Sequence, residues 1–162
     1  ERVRIRRKDR EVTYFAAMTA IVEDCGCCRL GMVLDGGAYI VPLNFGYEVK
    51  DGTLLLYFHG AAQGQKISLL RDNPAASFEM DTGHRLVPGA KADDYTYAYR
   101  SVMGRGVVEF LQEDEAKLAA LNRIMDHYTH RDDWTVEAPM LHATAVYCLR
   151  VTHWTAKEHI VP

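Results

Sequence analysis

The sequence predicts a mainly β protein, an antiparallel barrel of about six strands with helices at its periphery. Several runs of β-branched and aromatic residues are separated by turn signals rich in Gly, Asp and Asn. Strands do not alternate with long helices along the sequence, so the pattern does not indicate parallel βαβ units. The 162 residues, 48% of them hydrophobic, suffice for one core. We therefore expect a single domain over residues 1–162, with residues 1–12 as a basic N-terminal arm.

A helix and a strand are the first predicted elements. Between Thr13 and Glu23, apolar side chains recur at helical spacing, and the pattern ends near Cys25. Residues 28–34 then predict a strand. The sequence Asp35-Gly36-Gly37 that follows is a strong signal for a hairpin turn.

The next two strands form a second hairpin. We expect one strand over residues 38–49 and another over residues 54–59, with a turn at Lys50-Asp51-Gly52 between them. Pro42 interrupts the first of these strands. Because proline cannot donate to a β-ladder, it marks an edge, a bulge or a place where something other than a strand approaches.

A short helix and a fourth strand follow. Residues 63–71 predict a helix that turns Ile67 and Leu70 inward and stops at Asn73-Pro74. The fourth strand covers residues 75–80. Residues 82–94 contain two glycines and a proline without a convincing period, so we expect a long loop there that is suited to act as a lid.

The C-terminal half predicts a long strand, a helix and a final strand. The long strand covers residues 95–111, and glycines at 104 and 106 indicate a bulge or bend. The helix covers residues 113–130, with acidic residues first and basic residues last, as the helix dipole favours. Its expected inner stripe is Leu118, Leu121, Met125 and Tyr128. The last strand covers residues 144–154 and should place on one face Ala145, Tyr147, Leu149 and Val151.

Charge and hydropathy exclude several classes of protein. The net charge of −3 is small, and we expect the basic residues of the first ten positions to form a solvated arm, not a nucleic-acid surface. No apolar segment follows them as in a secretory signal. No stretch approaches the about 20 apolar residues that span a bilayer. We expect a soluble, cytoplasmic protein.

The number and spacing of the cysteines also favour a cytoplasmic protein. They are Cys25, Cys27, Cys28 and Cys148. Three of them within four residues cannot easily pair with one another, so we expect reduced thiols that are mostly small buried side chains. A zinc site would need four well-placed ligands, and the fourth cysteine is distant. His127 and His130 share a helix face, but the helix dipole explains them more simply, and we expect no metal.

A polar loop after the third strand is the first candidate site. Residues 60–65 are small or polar, and Lys66 follows them at the expected first turn of a helix. Free backbone amides and a lysine charge at such a position favour a phosphate, whereas the alternative is a plain surface lysine. His59 ends the strand beside this loop, either as a cofactor contact with a tunable proton or as a structural hydrogen-bonding residue.

Two further segments are candidates for ligand contact. Pro42-Leu43-Asn44-Phe45 interrupts an apolar strand, where a flat heteroaromatic ligand could lie against the freed backbone groups. A structural bulge explains the same pattern equally well. Arg100-Ser101-Val102 offers a cation, a hydroxyl and a backbone donor on the long strand.

Five segments together resemble a known family. They read RRKDREVT at 6–13, CRLGMV at 28–33, YIVPLNFGYE at 39–48, LYFHGAAQGQKISLL at 56–70 and RSVMGRGVVEF at 100–110. With these motifs, the chain resembles the nitroimidazole-resistance (Nim-type) branch of the pyridoxamine 5′-phosphate oxidase-like flavoproteins. The resemblance implies a six-stranded split β-barrel that forms a homodimer and binds FMN at the subunit interface.

The resemblance also implies roles for particular residues. The ring of FMN would be lined by Val41, Pro42, Leu43 and Asn44. Beside the ring and ribityl chain would lie Phe58 and His59, and at the phosphate Gly64, Gln65 and Lys66. The long-strand segment that reaches the flavin, from the other subunit, would be Ser101 and Val102. His59 would be the catalytic residue, as a proton donor or hydrogen-bond partner near the reacting face.

The function implied is an FMN-dependent oxidoreductase that passes electrons from a small-molecule donor to a small organic acceptor, nitroaromatics included. Gln65 departs from relatives that carry a second basic residue there, which removes one charge-assisted contact to phosphate. Residues 152–158 do not match the substrate-binding segment of true pyridoxamine phosphate oxidases, which argues against vitamin B6 synthesis. The alternatives are a non-catalytic flavin-binding or sensor module, a protein of this fold that uses haem or deazaflavin, and a structural dimer.

Overall fold

The computed structural model describes residues 4–162. Its strands are β1 (Glu11–Val12), β2 (Cys28–Leu34), β3 (Gly37–Leu43), β4 (Gly46–Lys50), β5 (Thr53–Ala61), β6 (Ala75–Val87), β7 (Thr96–Phe110) and β8 (Thr144–His159). Its α-helices are α1 (Phe15–Asp24), α2 (Gln65–Asp72), α3 (Asp114–Thr129) and α4 (Ala138–Ala143). Two single-turn 3₁₀ helices cover Lys8–Arg10 and Ala92–Asp94.

All eight strands of the described residues join one antiparallel sheet. Its order is β3-β2-β6-β7-β8-β5-β4, and β1 pairs separately with β8. The mainly β architecture is therefore confirmed, with eight strands where about six were predicted. No helix among the described residues is both long and apolar enough to cross a membrane.

The strand predicted over residues 38–49 is in fact two strands. β3 pairs with β2, whereas β4 pairs with β5, so the chain changes partner at Asn44 and Phe45. Pro42 belongs to β3, an outermost strand of the sheet, and it lies opposite Arg29 of β2. Of the three explanations for the proline, the structure thus shows the edge position, where a missing amide breaks no ladder.

β6 is longer than predicted. Arg85–Val87 still pair with β7, after a bulge between Thr82 and Arg85 that contains Gly83 with a positive φ of 68°. The predicted loop over residues 82–94 is therefore wrong in its first half, because only residues 88–95 connect the two strands. The glycine that indicated a loop instead bends a continuing strand.

The basic arm is not wholly solvated. Residues 1–3, with Arg2, lie outside the described residues. After them Ile5 is buried, and Glu11 and Val12 pair with Lys157 and Ala156 of β8. The segment is thus tied to the sheet at its C-terminal end.

The predicted face of α3 is also wrong. The helix buries Lys117, Ala120 and Ile124. The predicted stripe lies one position further round and is only half-buried or exposed at Leu118, Leu121, Met125 and Tyr128. The cause is a close backbone contact, since a Cβ on Gly46 of β4 would lie 2.4 Å from the backbone carbonyl carbon of Arg123. The backbone of α3 is therefore held close to the sheet at this point.

The core combines the inner face of the sheet with α1 and α2. Tyr147 of β8 is fully buried, with ring centroids 5.6 Å from Phe58 and 5.5 Å from Phe110. All four cysteines are free, and burial raises the pKa of Cys25 and of Cys148 to about 12. The expected burial of most of the thiols is confirmed, and at neutral pH Cys25 and Cys148 remain protonated.

β7 and β8 approach each other unusually closely at two glycines. A Cβ on Gly104 would lie 2.7 Å from the carbonyl oxygen of His153, and one on Gly106 would lie 2.0 Å from the carbonyl oxygen of Arg150. The ladder shifts register between Arg105 and Gly106, which confirms the predicted bulge.

We expect Gly106→Ala to lower the free energy of unfolding by about 1–3 kcal/mol, because the two backbones must separate to admit the methyl group. Gly37→Ala is the matched control, since its Cβ would meet nothing within 4 Å. Urea unfolding followed by circular dichroism measures both variants. Equal free energies of unfolding would contradict the close approach of β7 and β8.

Candidate functional site

His59 and Lys66 meet above the end of β5. The strand ends at Ala61, and α2 begins at Gln65. Gly64 caps the helix with φ 130° and ψ 166°, a conformation that L side chains rarely adopt. From there the Lys66 side chain folds back over the strand, because a Cβ on Gly60 would lie 3.1 Å from its Nζ. Gly60 therefore leaves the room in which the ammonium lies.

The electrostatics of the pair follow from this position. Burial lowers the pKa of His59, and the charge of Lys66 lowers it further. The imidazole is therefore neutral at pH 7. Burial also lowers the pKa of Lys66, and among residues 4–162 no carboxylate forms an ion pair with it. A partly desolvated ammonium without a counter-charge is stabilised by any anion that binds beside it.

The start of α2 adds backbone donors to this ammonium. The first amide bonded back into the turn is that of Ser68, which donates to Gly64 O at 3.1 Å. No side chain caps the helix, so the amides of residues 65–67 keep free donors at its positive end. The predicted phosphate-binding loop thus has the geometry of an anion site.

Two of the predicted flavin-contacting residues face the core. Phe58 and Val102 are each 0% exposed, so only their backbone could contact a bound molecule outside the barrel. On β3, Val41 and Leu43 are half-buried, whereas Pro42 is exposed, as the alternation of a strand requires. The contacts expected from Phe58 and Val102 thus remain predictions, through the backbone of these two residues.

A single chain does not bring Ser101 to His59. On β8, the residue opposite Ser101 is Lys157, whereas the residue opposite His59 is Val146. Eleven residues of an extended strand span roughly 35 Å. Any site that uses both side chains needs two copies of the chain.

A charged cluster on β2 and β6 was missed. Arg29 Nη1 lies 3.1 Å from a Glu79 carboxylate oxygen and 3.2 Å from one of Asp81, and His84 also contacts Asp81. Burial and the neighbouring Asp81 raise the pKa of Glu79. Pro42 pairs with Arg29, and Arg29 with Glu79, so the cluster shares a row with the predicted ring-lining segment. The signal was present in the alternating acids of SFEMD.

A cavity of about 580 Å³ opens over β6, β7 and β8. Its lining includes Phe78, Met103, Arg105, His153 and Trp154. None of the predicted site residues lines it. Across residues 4–162, no group of three or more His, Cys, Asp or Glu side chains is arranged to hold a metal ion.

Comparison with known proteins identifies a family and several solved structures that are similar to this chain. Residues 16–158 match the family model described as pyridoxamine 5′-phosphate oxidase. The chain is also similar to a solved structure of a candidate 5-nitroimidazole antibiotic resistance protein from Bacteroides thetaiotaomicron VPI-5482. The identity is 33% and the TM-score 0.80, over 91% of this chain and 86% of that one.

Two solved structures share the fold at lower identity. Flavocytochrome Anf3 from Azotobacter vinelandii is 21% identical with a TM-score of 0.81, over 98% of this chain and 73% of that one. An FAD and haem binding protein from Mycobacterium smegmatis is 19% identical with a TM-score of 0.80, over 94% and 74%. No protein of curated function matches the chain significantly. Together with the sheet topology, these similarities confirm the mainly β split-barrel fold.

We expect Lys66→Met to raise the pKa of His59, because a positive charge that disfavours the imidazolium is removed. Two-dimensional NMR of the histidine rings across a pH titration measures this directly. Lys50→Met, at the exposed end of β4, is the control and should leave the pKa of His59 unchanged. An unaltered His59 titration in Lys66→Met would contradict the proximity of the two side chains.

Proposed function

The chain belongs to the pyridoxamine 5′-phosphate oxidase family, and we propose that it is an FMN-dependent oxidoreductase of the nitroimidazole-resistance kind. One observation carries the proposal: the Lys66 ammonium lies over Gly60, beside His59 and at the open end of α2. This arrangement supports the proposal, because a phosphorylated flavin requires a site that binds an anion. When bound, FMN supplies the electron-transfer chemistry, and the protein supplies binding and orientation.

The residues of this corner fit a phosphate. The ammonium of Lys66 gives a charge-assisted contact, and the amides of residues 65–67 give directed hydrogen bonds. A side chain at position 60 would displace the ammonium from its place over the strand. Gln65 contributes its amide without a second charge, so the affinity for phosphate rests more heavily on Lys66.

His59 is the proposed catalytic residue. Its ring is neutral at pH 7, because burial and Lys66 lower its pKa. A neutral imidazole can accept a hydrogen bond at one nitrogen and donate at the other. It can therefore orient a small polar acceptor, or exchange a proton with it, without adding a charge to the site.

The proposed acceptor is a small organic molecule, with nitroaromatic compounds as the first class to screen. The support is the 33% identity to the candidate 5-nitroimidazole antibiotic resistance protein. A small-molecule donor would supply the electrons. We further propose that the protein acts in the cytoplasm, where its four free cysteines remain reduced.

We also propose that the working form is a homodimer with the flavin at the interface. The distance between His59 and Ser101 along β8 supports a shared site. A second support is the outer face of β2, β3, β6 and β7. It exposes between 42% and 64% of each of four large apolar side chains, namely Val33, Ile40, Met103 and Val107. Cross-strand pairing places these residues on the same side of the sheet.

The cofactor proposal is tested by absorption spectra of the purified protein before and after addition of FMN and desalting. We expect a retained flavin spectrum that is released as FMN on denaturation. Lys66→Ala should weaken FMN binding by about tenfold or more, since a charge-assisted hydrogen bond contributes about 1.5–3 kcal/mol. Lys50→Ala is the control and should bind FMN normally.

The following outcomes would contradict parts of the FMN proposal. Unchanged FMN affinity in Lys66→Ala would remove Lys66 from the phosphate site. A wild-type protein that stays colourless would refute the FMN assignment and direct the screen to haem and deazaflavin. A flavin that no donor reduces would favour a binding or sensor module over an enzyme.

The dimer is tested by Ile40→Glu. A carboxylate at this exposed apolar position of the outer face should dissociate the dimer, because a buried carboxylate without a partner is costly. Light scattering after size-exclusion chromatography gives the mass. Met140→Glu, at an equally exposed methionine on α4, is the control and should stay dimeric. A wild-type protein that elutes as a monomer at micromolar concentration would refute the proposal.

A further inference from the structure

A second cavity lies where α1, β4 and α3 meet, and we call it the α1–α3 cavity. Its volume is about 340 Å³, at the lower end of the roughly 300–1,000 Å³ typical of small-molecule sites. Three carboxylates, an arginine, a tyrosine, a threonine and a histidine line it, with one valine. It shares no lining residue with the proposed flavin site.

The cavity carries uncompensated negative charge. The carboxylate of Glu48 is fully engaged, because Arg123 Nη2 lies 3.0 Å from one oxygen and the Tyr57 hydroxyl donates to the other at 2.6 Å. The remaining two carboxylates belong to Glu23 and Asp126. Within the described part of the chain, neither forms an ion pair with a lysine or an arginine.

His127 presents a buried acceptor without a donor. Its Nε2 lies 2.7 Å from the carbonyl oxygen of Cys25, and since a carbonyl only accepts, Nε2 carries the proton. Its Nδ1 has no hydrogen-bond partner, although the side chain is only 3% exposed. The nearest group is a Glu23 carboxylate oxygen at 3.7 Å, which is itself an acceptor and beyond hydrogen-bond distance.

The ring of His127 is fixed in this orientation. Its centroid lies 4.4 Å from that of Phe45 and 4.9 Å from that of Tyr128. It therefore cannot turn Nδ1 toward another donor without disturbing the packing of α3. Two acceptors that face each other across 3.7 Å are electrostatically unfavourable unless a positively charged donor reaches both.

Tyr47 completes this corner of the cavity. Burial raises its pKa, and the carboxylates of Glu23 and Asp126 raise it further, so the phenol stays protonated. Both carboxylates are thus close enough to act on one hydroxyl group. A ligand that reaches this point meets two negative charges, the Nδ1 acceptor and an aromatic wall.

We propose that the α1–α3 cavity binds a small organic cation through a primary ammonium group, held by Glu23, Asp126 and Nδ1 of His127. An ammonium offers a full charge and three N–H donors, which match two carboxylates and one lone pair. An alcohol lacks the charge, and a quaternary ammonium lacks the donors. A metal ion is disfavoured, because among residues 4–162 no group of three ligands is arranged to hold one.

The experiment uses 1,4-diaminobutane as the probe, with isothermal titration calorimetry and thermal unfolding of the full chain at constant ionic strength. We expect saturable binding and a rise in Tm that follows the occupancy of the site. Equal concentrations of 1,4-butanediol and tetramethylammonium chloride should produce neither effect. Glu23→Gln and Asp126→Asn should each weaken binding by about tenfold, which corresponds to about 1.4 kcal/mol.

The matched control is Glu115→Gln, which removes a carboxylate from an exposed position on α3 outside the cavity. It should bind the diamine as the wild type does. Circular dichroism confirms that each variant folds. Equal binding of tetramethylammonium, undiminished binding by folded Glu23→Gln, or no binding at about ten millimolar diamine would each overturn the proposal.

Discussion

The antiparallel ladder of β8 is the constraint on which the rest of the structure depends. β8 pairs with β7 over most of its length, with β5 along its N-terminal half and with β1 near its end. Side chains are absent at Gly104 and Gly106, which lets the two longest strands approach closely enough for the sheet to curve. The same strand separates His59 from Ser101. The strand that joins both halves of the sheet therefore also places two of the predicted flavin contacts near its opposite ends.

The corner at His59 shows how one charge can serve two purposes. Lys66 lies over Gly60, where its ammonium is partly removed from water and is suited to bind an anion. Burial lowers the pKa of the neighbouring His59 imidazole, and the same charge lowers it further. Binding and protonation state are thus set together by the length of the β5–α2 connection and by the absence of a side chain at one strand position.

The sequence was sufficient for features that depend on local chemistry. The turn at Asp35-Gly36-Gly37, the start of α2 and the bulge at Gly106 follow from backbone preferences that a few residues determine. It was insufficient where a distant partner decides. Residues 38–49 form two strands because their halves pair with different neighbours. The helix α3 buries Lys117, Ala120 and Ile124 instead of the predicted stripe because its backbone packs closely against Gly46. The spacing of apolar residues along the sequence predicts neither the change of strand partner nor the buried face of α3.

Pro42 has a consequence for the behaviour of the protein in solution. β3 is an outermost strand, and such a strand can recruit an extended segment from another molecule and so begin a fibrillar aggregate. A residue without an amide hydrogen interrupts the row of donors that this recruitment needs. The proline that first indicated a ligand-binding irregularity thus also acts as a gatekeeper, which keeps the open side of the barrel from seeding unwanted assembly.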